Sequence, residues 1–273
     1  VPNRPTAGRA PAGAAVLPAP PIRRARRQPL QHPLLRSWFL PEEPGLPTLA
    51  AHVLLTGHGA HWSEGPTTPR AAVVHCGPYR LLRGDPRFLR PERLAPLERG
   101  QFSMPDRFLP LLGATFSPVM PWVRLVYTQQ LRPRRQPLPV GVRLRPLTPL
   151  DTARLDALGQ ELRWITETWG SSRALARTGG AWGAFVDGRL ASVATVHLRG
   201  VSHEDLAVVT APEFRRAGLA LACVLAAATA IRHRGRIPTW STPRSNGPSR
   251  ALAEAAGFLP VREELVYWAG PAR

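Results

Sequence analysis

The residues with the clearest chemical potential form one stretch, Leu206-Ala207-Val208-Val209-Thr210-Ala211-Pro212-Glu213-Phe214-Arg215-Arg216-Ala217-Gly218-Leu219-Ala220. An apolar strand runs into a turn, and the turn runs directly into a helix. A helix N-terminus leaves up to four backbone N–H groups unpaired and carries a partial positive charge. Both favour a bound pyrophosphate. Gly218 lets the backbone approach the anion with no Cβ in the way, and Ala220 is small for the same reason. Glu213 precedes the cradle and can point to solvent.

A second stretch, Trp240-Ser241-Thr242-Pro243-Arg244-Ser245-Asn246-Gly247-Pro248-Ser249, continues through Leu252 to Gly257-Phe258. It reads as strand, asparagine, short helix, then Gly-Phe. The spacing Arg-x-x-Gly-x-Ala after an apolar strand, followed by this second stretch in order, resembles the GNAT superfamily of N-acetyltransferases. It looks most like a bacterial branch that carries an extra N-terminal region. The resemblance covers Leu147 to Trp268. It implies a mixed central sheet with flanking helices and acetyl-CoA as acyl donor. Backbone N–H groups of Arg216, Ala217, Gly218, Leu219 and Ala220 would hold the pyrophosphate, with Arg215 flanking. Val208, Val209 and Thr210 would offer a strand edge to the pantetheine amides, in a gap where this strand and Ile237–Thr242 splay apart. Asn246 and Ser249 would face the cofactor arm, and Asn246 can equally cap the short helix.

Acetyl transfer to an amine needs the amine neutral, the thioester carbonyl polarised and a proton for the leaving thiolate. Glu204 lies eleven residues before Arg215, where some members of the family place a glutamate base, and is the preferred candidate; Asp205 adjoins it and His203 is a further candidate. Neighbours on a strand point to opposite faces, so only one of the two acids can face the cleft. Many members carry a tyrosine four residues before the terminal glycine as proton donor. Here that position is Ala253, so either Ser249, another hydroxyl or water takes the role, or the thiolate leaves without a dedicated acid. Trp164 and Trp169, with Trp182, stand where an acceptor site would be walled, or they pack a core. Cys223, on the helix behind the cradle, reads as a small buried residue.

These groups need positioning elements. Thr148 or Asp151 opens a helix over Leu150 to Trp164. Ala181 to Val186 and Leu190 to Leu198 flank Asp187-Gly188, a hairpin signal. Asp205 to Thr210 reads as a strand, Leu219 to Arg234 as a helix, Ile237 to Thr242 as a strand, Ser249 to Ala256 as a helix and Leu265 to Trp268 as a final strand. This order builds an α/β domain over 147–273 around one mixed sheet. Residues 34–130 read as a smaller α+β domain. Strands are expected at Ala71 to Cys76, Tyr79 to Gly84 and Trp122 to Tyr127, with helical signals at Thr48 to Leu55 and Asp106 to Leu112. One expectation for this half is a degenerate copy of the second, shaping its acceptor pocket. Residues 131–146 read as a Pro/Arg-rich linker. Residues 1–33, rich in Pro, Ala and Arg, read as a disordered tail or a stretch upstream of the true start.

Composition bounds the partners. All 36 basic residues are arginine, which points to a GC-rich bacterial coding sequence. Residues 1–150 hold 21 arginines and seven acids, while residues 151–273 hold 15 and eleven. The positive excess thus lies outside the half with the motifs, and no known nucleic-acid motif accompanies it, so nucleic acid is not the favoured partner. No apolar run reaches the length of a membrane span. Two cysteines and eight histidines without ligand spacing provide no metal site and fit a cytoplasmic protein. The leading expectation is an acetyl-CoA-dependent N-acyltransferase acting on a primary amine of a small molecule or peptide, as a monomer or homodimer. The alternative is a catalytically degenerate acyl-CoA-binding sensor or scaffold.

Overall fold

The computed structural model describes residues 37–39, 42–65, 68–133 and 137–273. The tail expected over 1–33 and the centre of the expected linker lie outside the described residues. The first half contributes α1 (Thr48–Thr56), β1 (Ala60–Glu64), β2 (Ala71–Cys76), β3 (Tyr79–Gly84), α2 (Pro91–Leu94), β4 (Gly100–Ser103), α3 (Leu109–Thr115) and β5 (Val119–Gln129). The second contributes β6 (Val142–Pro146), α4 (Thr152–Asp156), α5 (Gln160–Trp169), α6 (Ser172–Ala176), β7 (Ala181–Val186), β8 (Arg189–Arg199), β9 (His203–Thr210), α7 (Leu219–His233), β10 (Ile237–Pro243), α8 (Gly247–Ala255) and β11 (Phe258–Ala269). Strand β6 occupies the last five residues of the stretch expected to be linker. The helix expected over Leu150 to Trp164 is broken at Gly159, which has a φ of 63°. A right-handed helix has no place for a residue of positive φ.

Among the described residues the eleven strands form one sheet, in the order β1-β2-β3-β4-β11-β5-β10-β9-β8-β7-β6. The two halves follow the same path. Each has a run of antiparallel strands (β1–β3 in the first half, β6–β9 in the second), a crossover to a strand parallel to the last of them, a helix and a final strand. The last strands are exchanged: β5 of the first half pairs with β10, and β11 of the second pairs with β4. β5 and β11 then pair with each other from Val119↔Ala269 to Gln129↔Phe258, with an irregularity at Pro260/Arg262. The halves therefore share a sheet rather than a linker.

Local chemistry sets the elements. Asp187 and Gly188 both take positive φ, 48° and 76°. A two-residue type I′ hairpin, here joining β7 to β8, requires that of both residues. Thr148 and Asp151 form a capping box at the start of the α4 region. Arg145 adds two contacts of 2.8 Å to the buried Asp151 carboxylate. Helix α7 buries Cys223, Val224, Ala227, Ala228 and Ile231 against β7–β9. It carries Arg232 and His233 in its last turn, where cations favour the helix dipole. Helix α1 lies on the opposite face. His52 on α1 donates from Nε2 to the Thr168 carbonyl (2.9 Å) and accepts from the Arg199 N–H at Nδ1 (3.0 Å). Burial pushes this imidazole down to about 4, so it stays neutral and keeps both bonds. The Glu42 carboxylate takes the N–H groups of Val201 (2.7 Å), Ser202 (3.2 Å) and His203 (2.9 Å), tying the start of the first half to the β8–β9 turn.

Candidate active site

Strands β9 and β10 pair in parallel only from His203↔Ile237 to Leu206↔Trp240. Beyond that point β9 continues to Thr210 along β8, and β10 continues to Pro243 along β5. The two strands splay, and the gap opens into a cleft of about 800 Å³. Leu206, Ala207, Val208 and Thr210 line one side; Trp240, Ser241, Thr242 and Pro243 line the other. Val209 points away and is buried in the core. The sequence expectation for this strand edge thus finds Val208 and Thr210 on the cleft and Val209 behind it.

At the open end, Arg215, Arg216, Ala217 and Gly218 turn the chain into α7. Gly218 caps the helix in the left-handed conformation (φ 73°, ψ −2°), and Arg216 also has positive φ, 66°. Such turns point successive backbone N–H groups into one concavity. A Cβ on Gly218 would meet no atom within 4 Å, so the space beside it is open. Leu219 and Ala220 form the first turn of α7, and Arg215 and Ala220 line the cleft. The residues present fit a pyrophosphate carrying a long amide-bearing arm. The corresponding turn of the first half is not built this way. There α2 is only four residues long, and the residue before it, Arg90, is extended rather than left-handed.

Asn246 caps α8, its Oδ1 accepting the Ser249 N–H at 3.1 Å, and both residues line the cleft. The Trp240 indole donates to Ser249 Oγ at 3.1 Å. That bond uses an acceptor site of the hydroxyl and leaves its proton free to be donated elsewhere. Ala253 is fully buried in the core, so no side-chain hydroxyl reaches the cleft from its position.

The expectation for Glu204 is corrected. Glu204 and Asp205 leave β9 on opposite faces, as the pleat requires. Glu204 is fully buried on the α7 side, where Arg234, Arg236 (2.6 Å) and Arg199 (3.5 Å) surround it. It does not line the cleft. Asp205 goes the other way, onto the face of Ala207 and Val209, one residue below the point where β9 and β10 part; it is buried and does not itself line the cleft, which it meets through Ser241. Its Oδ1 accepts from Thr239 Oγ1 (2.9 Å) and Ser241 Oγ (3.2 Å), and Ser241 lines the cleft. Burial raises the Asp205 carboxyl to about 6, against the lowering effects of the nearby Arg124 charge and the two hydroxyls. His203 is held by the Glu42 carboxylate and is also remote from the cleft.

Of the tryptophans, Trp164 lines the cleft at 40% exposure, its ring edge-on to His197 with centroids 5.0 Å apart. The expectation for Trp169 is corrected: it is 3% exposed, packs in the core and donates to the Val196 carbonyl at 2.8 Å. Trp182 packs against the same core. Cys223 is fully buried, and burial pushes its thiol up to about 12, so it carries no thiolate at neutral pH.

Sequence reasoning expected the first half to shape the pocket but named none of the residues that do so. Tyr79 on β3, Gln101 on β4, Trp122 and Arg124 on β5, and Trp268 on the exchanged β11 all line the cleft. Arg124 donates to Gln101 Oε1 (3.1 Å) and the Ser241 carbonyl (3.2 Å). One signal was available. Arg124 shares a strand face with Trp122 and Val126 in a segment of period two, where a charge on a core-like face marks a function or a buried pair.

A model of the GNAT acetyltransferase family matches residues 121–267, a span that begins within β5 and ends in β11. A protein of Streptomyces virginiae described as an uncharacterized N-acetyltransferase in the mutA 5′ region is 42% identical over 200 residues, covering 72% of this chain and 84% of that protein. A GCN5-related N-acetyltransferase-like protein from Streptococcus suis superposes with a TM-score of 0.68 at 16% identity, covering 88% of this chain and 97% of its own. A tandem GNAT protein from the clavulanic acid biosynthesis pathway superposes at 0.53 with 17% identity, covering 83% and 89%. The splayed strands, the cradle before α7 and these matches together establish that the chain belongs to the GNAT acetyltransferase family and is an acetyltransferase.

Proposed function

We propose that the protein transfers the acetyl group of acetyl-CoA to a primary amine by direct attack. The observation that carries this reading is the succession of three features along β9 and the turn that follows it: Asp205 one residue before β9 and β10 part, the strand gap beyond Leu206 and Trp240, and the turn into α7, of which Arg215 and Ala220 line the cleft. Acetyl-CoA supplies a thioester whose carbonyl carbon is the electrophile. Backbone N–H groups of Arg216 to Ala220 hold the pyrophosphate, and the free edge of β9 at Val208 orients the arm. Asp205 accepts a proton from the amine through Ser241 or a water beside it, and its raised affinity for protons suits that task. The amine nitrogen bonds to the carbonyl carbon, the carbon–sulfur bond breaks, and Ser249 or a water delivers a proton to the sulfur.

The absence of a hydroxyl at Ala253 favours a second reading, a CoA-binding sensor without turnover. Thiol release from acetyl-CoA across an amine panel, run beside calorimetry, separates the two. Turnover on any amine supports the enzyme. Tight acetyl-CoA binding with no turnover on all of them supports the sensor. No acetyl-CoA binding overturns both.

A further inference from the structure

We propose that the acceptor is a free amino acid with a large apolar or aromatic side chain, its carboxylate held by Arg124 and its amine presented to Asp205. This rests on the acetyltransferase reading above and names the substrate class of the same cleft.

Arg124 lines the cleft with no carboxylate in direct contact, although Asp205 lies near enough to feel its charge. Arg124 carries five N–H donors in a planar fork, the geometry that matches a carboxylate. Its assigned acceptors, Gln101 Oε1 and the Ser241 carbonyl, are neutral, and the Tyr79 phenol beside it is kept protonated by burial. Its Nε is buried with no hydrogen-bond partner. Among the described residues no carboxylate forms an ion pair with it. Glu264, across from it on β11, is engaged by Arg262 (3.5 Å) and the Leu46 N–H (3.3 Å). Glu167 lines the cleft but pairs with Arg163 at 3.3 Å. A guanidinium facing a partly dry cleft with Asp205 near but no anion bonded to it gains from a ligand that brings a carboxylate into contact.

Spacing then selects the ligand. Ser241 joins the two charged groups: its carbonyl accepts from Arg124 and its hydroxyl donates to Asp205, each at 3.2 Å. The group that would take the carboxylate and the group that would take the amine's proton are therefore one residue apart. An α-amino acid places its two charges at that separation. A polyamine or a lysine side chain has no anion so close to its nitrogen. The remaining walls are aromatic: Tyr79, Trp122, Trp164 and Trp268 surround the space that a side chain would fill. His197, between Tyr79 and Trp164, is pushed down to about 3 by burial and stays neutral, so it does not compete for the carboxylate.

The test compares amino acids with the same compounds lacking the carboxylate. Thiol release from saturating acetyl-CoA is followed for tryptophan, phenylalanine and leucine, and for tryptamine, phenethylamine and isoamylamine, on the full chain, Arg124→Gln and Arg124→Lys. At least one amino acid is expected to exceed its amine by about 10- to 100-fold in kcat/KM, the range of a charge-assisted hydrogen bond. Arg124→Gln should collapse that ratio to below about threefold, chiefly through KM, and Arg124→Lys should restore part of it. If Arg124 acts only by tuning Asp205, the variant shifts the pH profile of both members of a pair and leaves their ratio intact, which overturns the proposal. A wild-type ratio at or below one in every pair also overturns it. If nothing is turned over, calorimetry of the CoA-loaded protein with the same amino acids decides. Binding that disappears in Arg124→Gln supports the ligand class and removes the catalytic reading. No binding to a protein that does bind CoA overturns the class alone.

Discussion

The pleat of β9 gives two adjacent carboxylates different chemistry. Glu204 lies among three arginines and has no access to the cleft. Glu204→Gln should destabilise the fold by about 1 to 3 kcal/mol, because it removes the buried counter-charge of three partly exposed guanidinium groups. Turnover per folded molecule should be retained, and denaturant melts beside rates normalised to folded protein check both. Asp205→Asn should do the reverse. A carboxyl raised from 3.8 to about 6 contributes stability that is present below the unfolded value and lost as pH rises through about 6. Removing the charge should therefore stabilise the protein at pH 8, by roughly 3 kcal/mol at most, while turnover falls. Thermal melts at pH 5 and pH 8 check the sign: the gain should appear at pH 8 and shrink at pH 5.

At the scale of elements, the cradle depends on one backbone conformation. Gly218→Glu places a side chain at φ 73° and a negative charge where the pyrophosphate would sit. The backbone strain is about 1 kcal/mol, so the fold should survive while acetyl-CoA affinity falls at least about 100-fold (about 2.7 kcal/mol); calorimetry reads both the affinity and its loss. This turn was legible in the sequence because its chemistry is local: an apolar strand, Gly218 and a small-residue helix follow one another. The same holds for the hairpin at Asp187-Gly188 and for strands β2 and β3, which are bounded by their own turn residues. The helix from Leu150 was only partly legible, since Gly159 breaks a run that otherwise looks periodic. β4 and β6 were missed because each is short and gains its place from a partner distant in sequence, β11 and β7 respectively. β11 was expected over only four residues, yet it extends from Phe258 to Ala269. Pro260, Arg262 and Glu263 look unlike a strand until β5 lies alongside. The choice between Glu204 and Asp205 was illegible for a related reason: strand alternation says that they differ, but only the fold brings Arg234 and Arg236 to Glu204 and the β10 hydroxyls of Thr239 and Ser241 to Asp205.

In the whole molecule, the exchange of β5 and β11 makes the first half part of the site. Each half pairs its last strand with the other, and Tyr79, Trp122 and Arg124, the wall proposed for the acceptor, line the cleft from the first half. Residues 147–273 expressed alone should fail to fold, because β10 would lose β5 and much of β11 would lose its pairing. The full chain should unfold in one cooperative calorimetric transition, and two resolved transitions would contradict the shared sheet. Among the described residues no helix is long and apolar enough to cross a membrane. The most direct test of the central claim is the pH dependence of kcat/KM for thiol release from acetyl-CoA, measured side by side for the full chain, Asp205→Asn and Glu204→Gln. Asp205 as the base predicts an acidic limb near pH 6 in the wild type and in Glu204→Gln, and its disappearance with at least about a hundredfold loss of rate in Asp205→Asn. A limb that survives in Asp205→Asn and vanishes in Glu204→Gln would contradict it.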